Sequence, residues 1–121
     1  MVNKKSVVIA AVLLTITAVM TFAQSSRPLK TGRYAMNGSN LTMEIRSDST
    51  VYVYFGRNNI TSNRATGTYR FSEDRQRITF TFNRASGDLI GLQGMTWVYA
   101  IYDNETFFNN EENWMYIGRL N

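Results

Sequence analysis

Few side chains in this sequence have the chemistry of an enzyme active site. The chain has neither histidine nor cysteine, which excludes a serine–histidine–aspartate triad, a cysteine nucleophile and a zinc site with the usual ligands. Acidic residues occur in three close pairs, which are Glu73 with Asp74, Asp103 with Glu105, and Glu111 with Glu112. All lie in predicted turns, where a carboxylate lacks the burial or charge partner that tunes a general acid. We therefore expect no enzymatic activity, no cofactor and no metal, and a carboxylate-based hydrolase ranks last.

Arginines are the second chemically active group. Five cluster on one predicted hairpin and its flanks, namely Arg64, Arg70, Arg75, Arg77 and Arg84. They form either an anionic binding surface or a solvated face balanced by Glu73 and Asp74. Lys4 and Lys5 belong to a predicted leader, so 11 of the 13 basic residues remain against nine acidic ones, a net charge of +2. This small charge favours the solvated face, and together with predicted export it disfavours a nucleic-acid partner.

Aromatic residues crowd the last three predicted strands. They are Trp97, Tyr99, Phe107, Phe108, Trp114 and Tyr116. One strand face cannot bury so many rings, so beyond ordinary core packing some must line a lumen or form an exposed stripe. Such rings are typical of a site for an apolar ligand, a sugar ring or a protein partner. The candidate ligand-binding residues are Trp97, Tyr99, Trp114 and Tyr116.

The element that must position these side chains is a sheet, whose clearest hairpin spans residues 67–82. Apolar residues alternate with threonine and arginine on both sides of a loop at residues 73–76, and this period of two marks strands with one buried face. The pattern predicts Phe71 opposite Ile78, Tyr69 opposite Phe80 and Gly67 opposite Phe82. Because a slip of one residue would reverse every side chain, this register is well specified.

The rest of the chain adds strands in the same style. Residues 32–36 and 41–46 flank an Asn-Gly turn signal and match the 67–82 hairpin in outline, either by duplication or by convergence on common hairpin sequences. Residues 50–56 are apolar on both faces, so either Val51, Val53 and Phe55 or Tyr52 and Tyr54 face the core. Strands at 94–102, 106–109 and 114–120 complete about eight. We predict an all-β domain over residues 31–121, a small antiparallel up-and-down barrel with a β-sandwich as the alternative.

The N-terminus has the three parts of a secretory signal peptide. Lys4 and Lys5 precede an apolar run, and small residues lead to Ala23. The pattern predicts a signal-peptide helix over residues 1–23 that is removed on export, although 17 apolar residues are also the minimum for a permanent anchor. Residues 24–30 read as a flexible tail. We expect a secreted or periplasmic bacterial protein that meets the membrane only through its leader.

A family resemblance joins the two ends of the predicted barrel. Gly32 and Tyr34 on the first strand, with Arg119 near the end of the last, resemble the calycin group, which comprises lipocalins and avidin-like proteins. The resemblance implies a structural barrel floor in which the arginine packs onto the ring, and it implies a small-molecule binder. Ligand residues do not carry over from it.

Two functions from different classes follow. The first is an exported lipocalin-like module that binds a small apolar or amphiphilic ligand, which predicts a lumen left unfilled by side chains. The second is a structural or protein-interaction barrel, such as an envelope component or inhibitor, which predicts a filled barrel and an apolar surface patch. The sequence leaves the oligomeric state open.

Overall fold

The chain forms a closed eight-stranded antiparallel barrel in a computed structural model that describes residues 27–120. Each strand pairs with the next, and the eighth returns to the first. The predicted barrel is confirmed. The strands are β1 (Gly32–Met36), β2 (Leu41–Ile45), β3 (Thr50–Phe55), β4 (Arg64–Phe71), β5 (Arg77–Ala85), β6 (Thr96–Asp103), β7 (Thr106–Phe108) and β8 (Asn113–Gly118).

Helical structure between residues 27 and 120 is limited to two 3₁₀ turns, Thr61–Asn63 and Gly87–Leu92. Both lie between predicted strands, and neither is long and apolar enough to cross a membrane. The predicted leader helix, its cleavage after Ala23 and the first three residues of the predicted tail lie outside the described residues.

The β4–β5 hairpin has the register that its alternation predicts. Phe71 pairs with Ile78, Tyr69 with Phe80, and Gly67 with Phe82. Beyond Gly67 the register shifts, because Thr66 pairs with Arg84 and Asn83 is left as an extra residue. This β-bulge carries β5 three residues past the predicted end of the strand, to Ala85. A bulge of this kind re-aims the side chains that follow it.

Inward-facing side chains fill the barrel. The strands contribute alternate apolar residues, and those that are fully buried include Tyr34, Met43, Ile45, Val51, Val53, Ile78, Phe80, Phe82, Phe107 and Trp114. The ring of Phe80 is central, with centroids 5.9 Å from Tyr99 and 5.6 Å from Phe107. Strand β3 therefore turns Val51 and Val53 inward, whereas Phe55, on the same predicted face, is exposed at the strand end.

The two ends of the barrel are covered by different segments. At the end where the chain enters, here called the entry end, Leu29 is fully buried and the Lys30 N–H donates to the Asn104 carbonyl at 2.8 Å. The flexible tail predicted for residues 24–30 is thus wrong for residues 27–30, because the apolar Leu29 plugs the barrel. At the opposite end, the far end, the buried Leu89 of the second 3₁₀ turn packs onto the core.

Candidate functional site: the outer wall of the barrel

The four aromatic residues predicted to bind a ligand do not line one cavity. Tyr99 and Trp114 are buried in the core, where the Tyr99 hydroxyl and the Trp114 indole N–H both donate to the carboxylate of Glu112. Burial and this hydrogen bond raise the pKa of Tyr99. Trp97 is half-buried near the far end, and Tyr116 is half-buried near the entry end. Two of the four rings are thus core residues, and the other two are at opposite ends.

The predicted floor residues lie together at the entry end. Gly32 has φ of +147°, and a Cβ there would lie 2.5 Å from the Tyr116 ring. Burial raises the pKa of Tyr34, whose ring centroid is 5.5 Å from that of Tyr116. Arg119 is exposed, and its carbonyl accepts a hydrogen bond from Arg33 at 3.1 Å. The Lys30 ammonium lies 5.2 Å from the centroid of the Tyr116 ring. Packing of Arg119 onto the Tyr34 ring, which the resemblance implies, stays a prediction.

An apolar surface covers the outer wall of β6, β7 and β8. We call it the apolar face, and its residues are Val98, Tyr102, Phe108, Met115 and Ile117. Tyr102 is 74% exposed and Met115 is 55% exposed. A cleft of about 490 Å³ lies between them, lined also by Phe108 and Asp103. Scattered apolar residues are normal on a surface, whereas a contiguous group marks an interaction site.

Carboxylates stand at both ends of the apolar face. Asp103 lines the cleft toward the entry end. Toward the far end Phe108 also borders a second depression, of about 270 Å³, whose lining includes Glu111 and Glu112. Glu112 is held by the two core residues described above, whereas the side chain of Glu111 is exposed. The face is therefore apolar at its centre and acidic at its margins.

The outer wall of β2, β3 and β4 has a different character, because a buried carboxylate organises it. Glu44 is 7% exposed, and it accepts hydrogen bonds from the Tyr54 hydroxyl at 2.6 Å, from Arg46 at 2.9 Å and from the Asn59 amide at 3.4 Å. Burial, reinforced by the bond to Glu44, raises the pKa of Tyr54. A buried charge needs such partners, since isolating it from water without them is costly.

Arginine side chains lie over this wall. The guanidinium carbons of Arg46 and Arg64 lie 4.7 and 4.8 Å from the centroid of the Tyr52 ring, within the range of cation–π contacts. Arg64 also donates to Asn59 at 3.1 Å, and Arg57 donates to the Thr42 hydroxyl at 3.2 Å. We call this surface, together with Arg84 on β5, the arginine face. Sequence reasoning missed Glu44, Tyr52 and Tyr54; the available signal was that β3 is apolar on both sides.

Comparisons of this chain with protein-family models, with curated proteins and with solved structures find no match. The calycin resemblance remains a prediction, and any role for these surfaces rests on their own geometry. Within the described part of the chain, no group of three or more acidic, histidine or cysteine residues is placed to hold a metal ion.

Proposed function

We propose that this protein is an exported, non-enzymatic interaction module that docks a protein partner on its apolar face. The observation that carries the proposal is a lumen filled by side chains, beside an outer wall on which Tyr102, Phe108 and Met115 line one cleft. An eight-stranded barrel either holds one small ligand or is filled, and packed rings occupy this one. Binding through the outer wall is the second of the two functions predicted from the sequence.

The chemistry of the apolar face favours one kind of partner. Its centre presents Tyr102, Phe108 and Met115, which suit aliphatic or aromatic side chains. Its margins present Asp103 and Glu111, which suit flanking lysine or arginine residues. We therefore commit to a protein segment with apolar residues between basic ones. A membrane surface fits less well, because the arginine face lies on other strands than the apolar face.

The test is selection of peptides from a random display library on the protein expressed from its full sequence. We expect enriched peptides to carry apolar residues flanked by basic ones, and their binding to fall at least tenfold in Met115→Ser, since central apolar anchors dominate such interfaces. The matched control is Ile60→Ser, because Ile60 has the same 55% exposure but lies in a loop outside the apolar face. Binding should be unchanged in that variant.

Three outcomes would overturn the proposal. The first is that no peptide is enriched. The second is that the enriched peptides bind Met115→Ser as well as the parent protein. The third is a stable dimer in light scattering that Met115→Ser dissociates, because a second copy would then be the occupant of the face.

A small amphiphilic ligand at the entry end is the second candidate function. A depression of about 500 Å³ there combines the apolar Leu29 and Tyr116 with the cationic Lys30 and Arg119. A fatty-acid anion such as myristate is the probe. Saturable binding that Arg119→Gln weakens would support this candidate, and failure of myristate to perturb Tyr116 in a solution NMR titration would exclude it.

A further inference from the structure

The β-bulge in β5 decides where Arg84 points. Phe82 faces the core, and strict alternation would turn Arg84 inward as well. Because Asn83 is an extra residue, Arg84 instead pairs with the outward-facing Thr66, and its side chain is exposed. Ala85 takes the inward position and packs against the core. Bulges that re-aim a side chain in this way are features found next to functional sites.

The redirected arginine lies beside a second arginine. A cleft of about 240 Å³ on the outer wall is lined by Thr61, Arg64, Thr66, Arg84, Ala85 and Ser86. Arg64 is fixed in place, because its guanidinium lies over the Tyr52 ring and donates to Asn59. Fixing the guanidinium in advance reduces the entropy lost when it binds a ligand.

The cleft has hydrogen-bond donors without protein partners, and it has no carboxylate to balance the arginine charge. Over residues 27–120, the guanidinium of Arg84 and the hydroxyls of Thr61 and Thr66 have no hydrogen-bond partner. None of the residues that line the cleft is acidic. The buried carboxylate of the same wall, Glu44, is already engaged by Tyr54, Arg46 and Asn59. Two arginines therefore line a cleft in which no lining residue supplies a counter-charge.

We propose that this cleft binds a tetrahedral oxyanion, the phosphate or sulfate group of an ester. Arginine pairs bind such groups through charge-assisted and often bidentate hydrogen bonds. Thr61 and Thr66 also line the cleft, and their hydroxyls can donate to the remaining oxygens. The site is independent of the apolar face, since it uses strands β4 and β5 and the 3₁₀ turn at Thr61–Asn63 rather than β6 to β8.

The test is a solution NMR titration of the protein expressed from its full sequence with inorganic phosphate and, separately, with sulfate. Sodium chloride at matched ionic strength is the reference, because screening alone shifts exposed charges. We expect saturable changes at the amides of Thr66, Arg84 and Ser86 with phosphate or sulfate and not with chloride. Arg84→Gln should weaken binding about tenfold, as expected for loss of a charged hydrogen bond.

Arg70→Gln is the matched control. Arg70 is exposed on β4, and it lies in a different depression with Thr68, Thr79 and Thr81. The substitution removes the same charge as Arg84→Gln does. Its substitution should change the affinity less than twofold. Equal weakening by the two variants, or no saturation with either oxyanion, would overturn the site. Because Arg84 has no partner to lose, the resonances of core residues in Arg84→Gln should match those of the parent and show that it folds.

Two further probes distinguish the source of the group. Glycerol 3-phosphate represents a soluble ester, and phosphatidylcholine vesicles containing phosphatidate represent a lipid headgroup. Binding of either probe supports the site provided that Arg84→Gln weakens that binding. The probe that binds more tightly identifies the source of the group. Vesicle binding that survives Arg84→Gln would contradict the proposal.

Discussion

The apolar face and the arginine face differ in what covers them, although both belong to one continuous barrel wall. On β6 to β8 the outward side chains of Tyr102 and Met115 are largely uncovered. On β2 to β4 the outward Tyr54 is as buried as a core residue, because polar side chains from Arg46 and Asn59 close over the Glu44 network beside it.

This difference shows that burial on the outer wall was not needed to close the barrel. The inward faces of both regions contribute to the same core cluster, whose polar side-chain groups are tyrosine hydroxyls and the Trp114 indole N–H. A barrel whose interior is full has only its outer wall and rims on which to bind. The two faces therefore provide two surfaces of opposite chemistry, one apolar with acidic margins and one cationic.

The largest expected effect comes from truncating a core side chain that packs beneath both faces. Phe80→Ala should lower the free energy of unfolding by about 3–5 kcal/mol, because it opens a cavity among packed rings. Urea denaturation followed by NMR should show signals of Tyr102 and Tyr54 disappearing in one transition. Separate transitions would mean that the faces are independent units, and Val98→Ala on the exposed wall should change the free energy by less than about 0.5 kcal/mol.

A smaller effect is expected from the buried hydroxyl of the arginine face. Tyr54→Phe should cost about 2 kcal/mol of unfolding free energy, since it removes a hydrogen bond to the buried Glu44 carboxylate. Tyr102→Phe is the matched change on the apolar face, where the ring is mostly in water, and should cost almost nothing. Equal costs by urea denaturation would refute the contrast drawn between the faces.

Alkaline pH should separate the same two tyrosines. Burial and Glu44 raise the folded-state pKa of Tyr54 above the unfolded value of about 10. Its stabilising contribution is therefore complete below pH 10 and is lost as the pH rises toward the folded-state pKa. Between pH 10 and 11 the unfolding free energy of the parent should fall by about 1 kcal/mol more than that of Tyr54→Phe, because the unfolded tyrosine ionises progressively over this range. Parallel slopes would contradict this assignment.

The smallest effect on stability is expected from the exposed binding residues themselves. Met115→Ser and Arg84→Gln should each change the unfolding free energy by less than about 0.5 kcal/mol, as for most surface substitutions. Each should weaken only its own ligand, so peptide binding persists in Arg84→Gln and phosphate binding persists in Met115→Ser. Loss of both activities in either variant would show that the faces are coupled.

The barrel could be predicted from the sequence because its inner face has a period of two. The pairs of Tyr69 with Phe80 and Phe71 with Ile78 followed from that alternation alone. The arginine face could not be predicted, because Asn59 reaches Glu44 from a loop whose path no periodicity specifies. The outward orientation of Arg84 could not be predicted either, because the extra residue Asn83 interrupts the period of two. Leu29 was missed because a single apolar residue beside Pro28 reads as linker.

The pairing of β1 with β8 has a consequence for the order of events during synthesis. Arg33 lies opposite Gly118 across this seam, so the two ends of the domain are direct neighbours. Strand β1 can pair with β8 only after β8 has been synthesised, so the barrel closes late. Folding therefore depends on contacts between residues that are distant in sequence. The barrel therefore stays open at this seam until β8 has been synthesised.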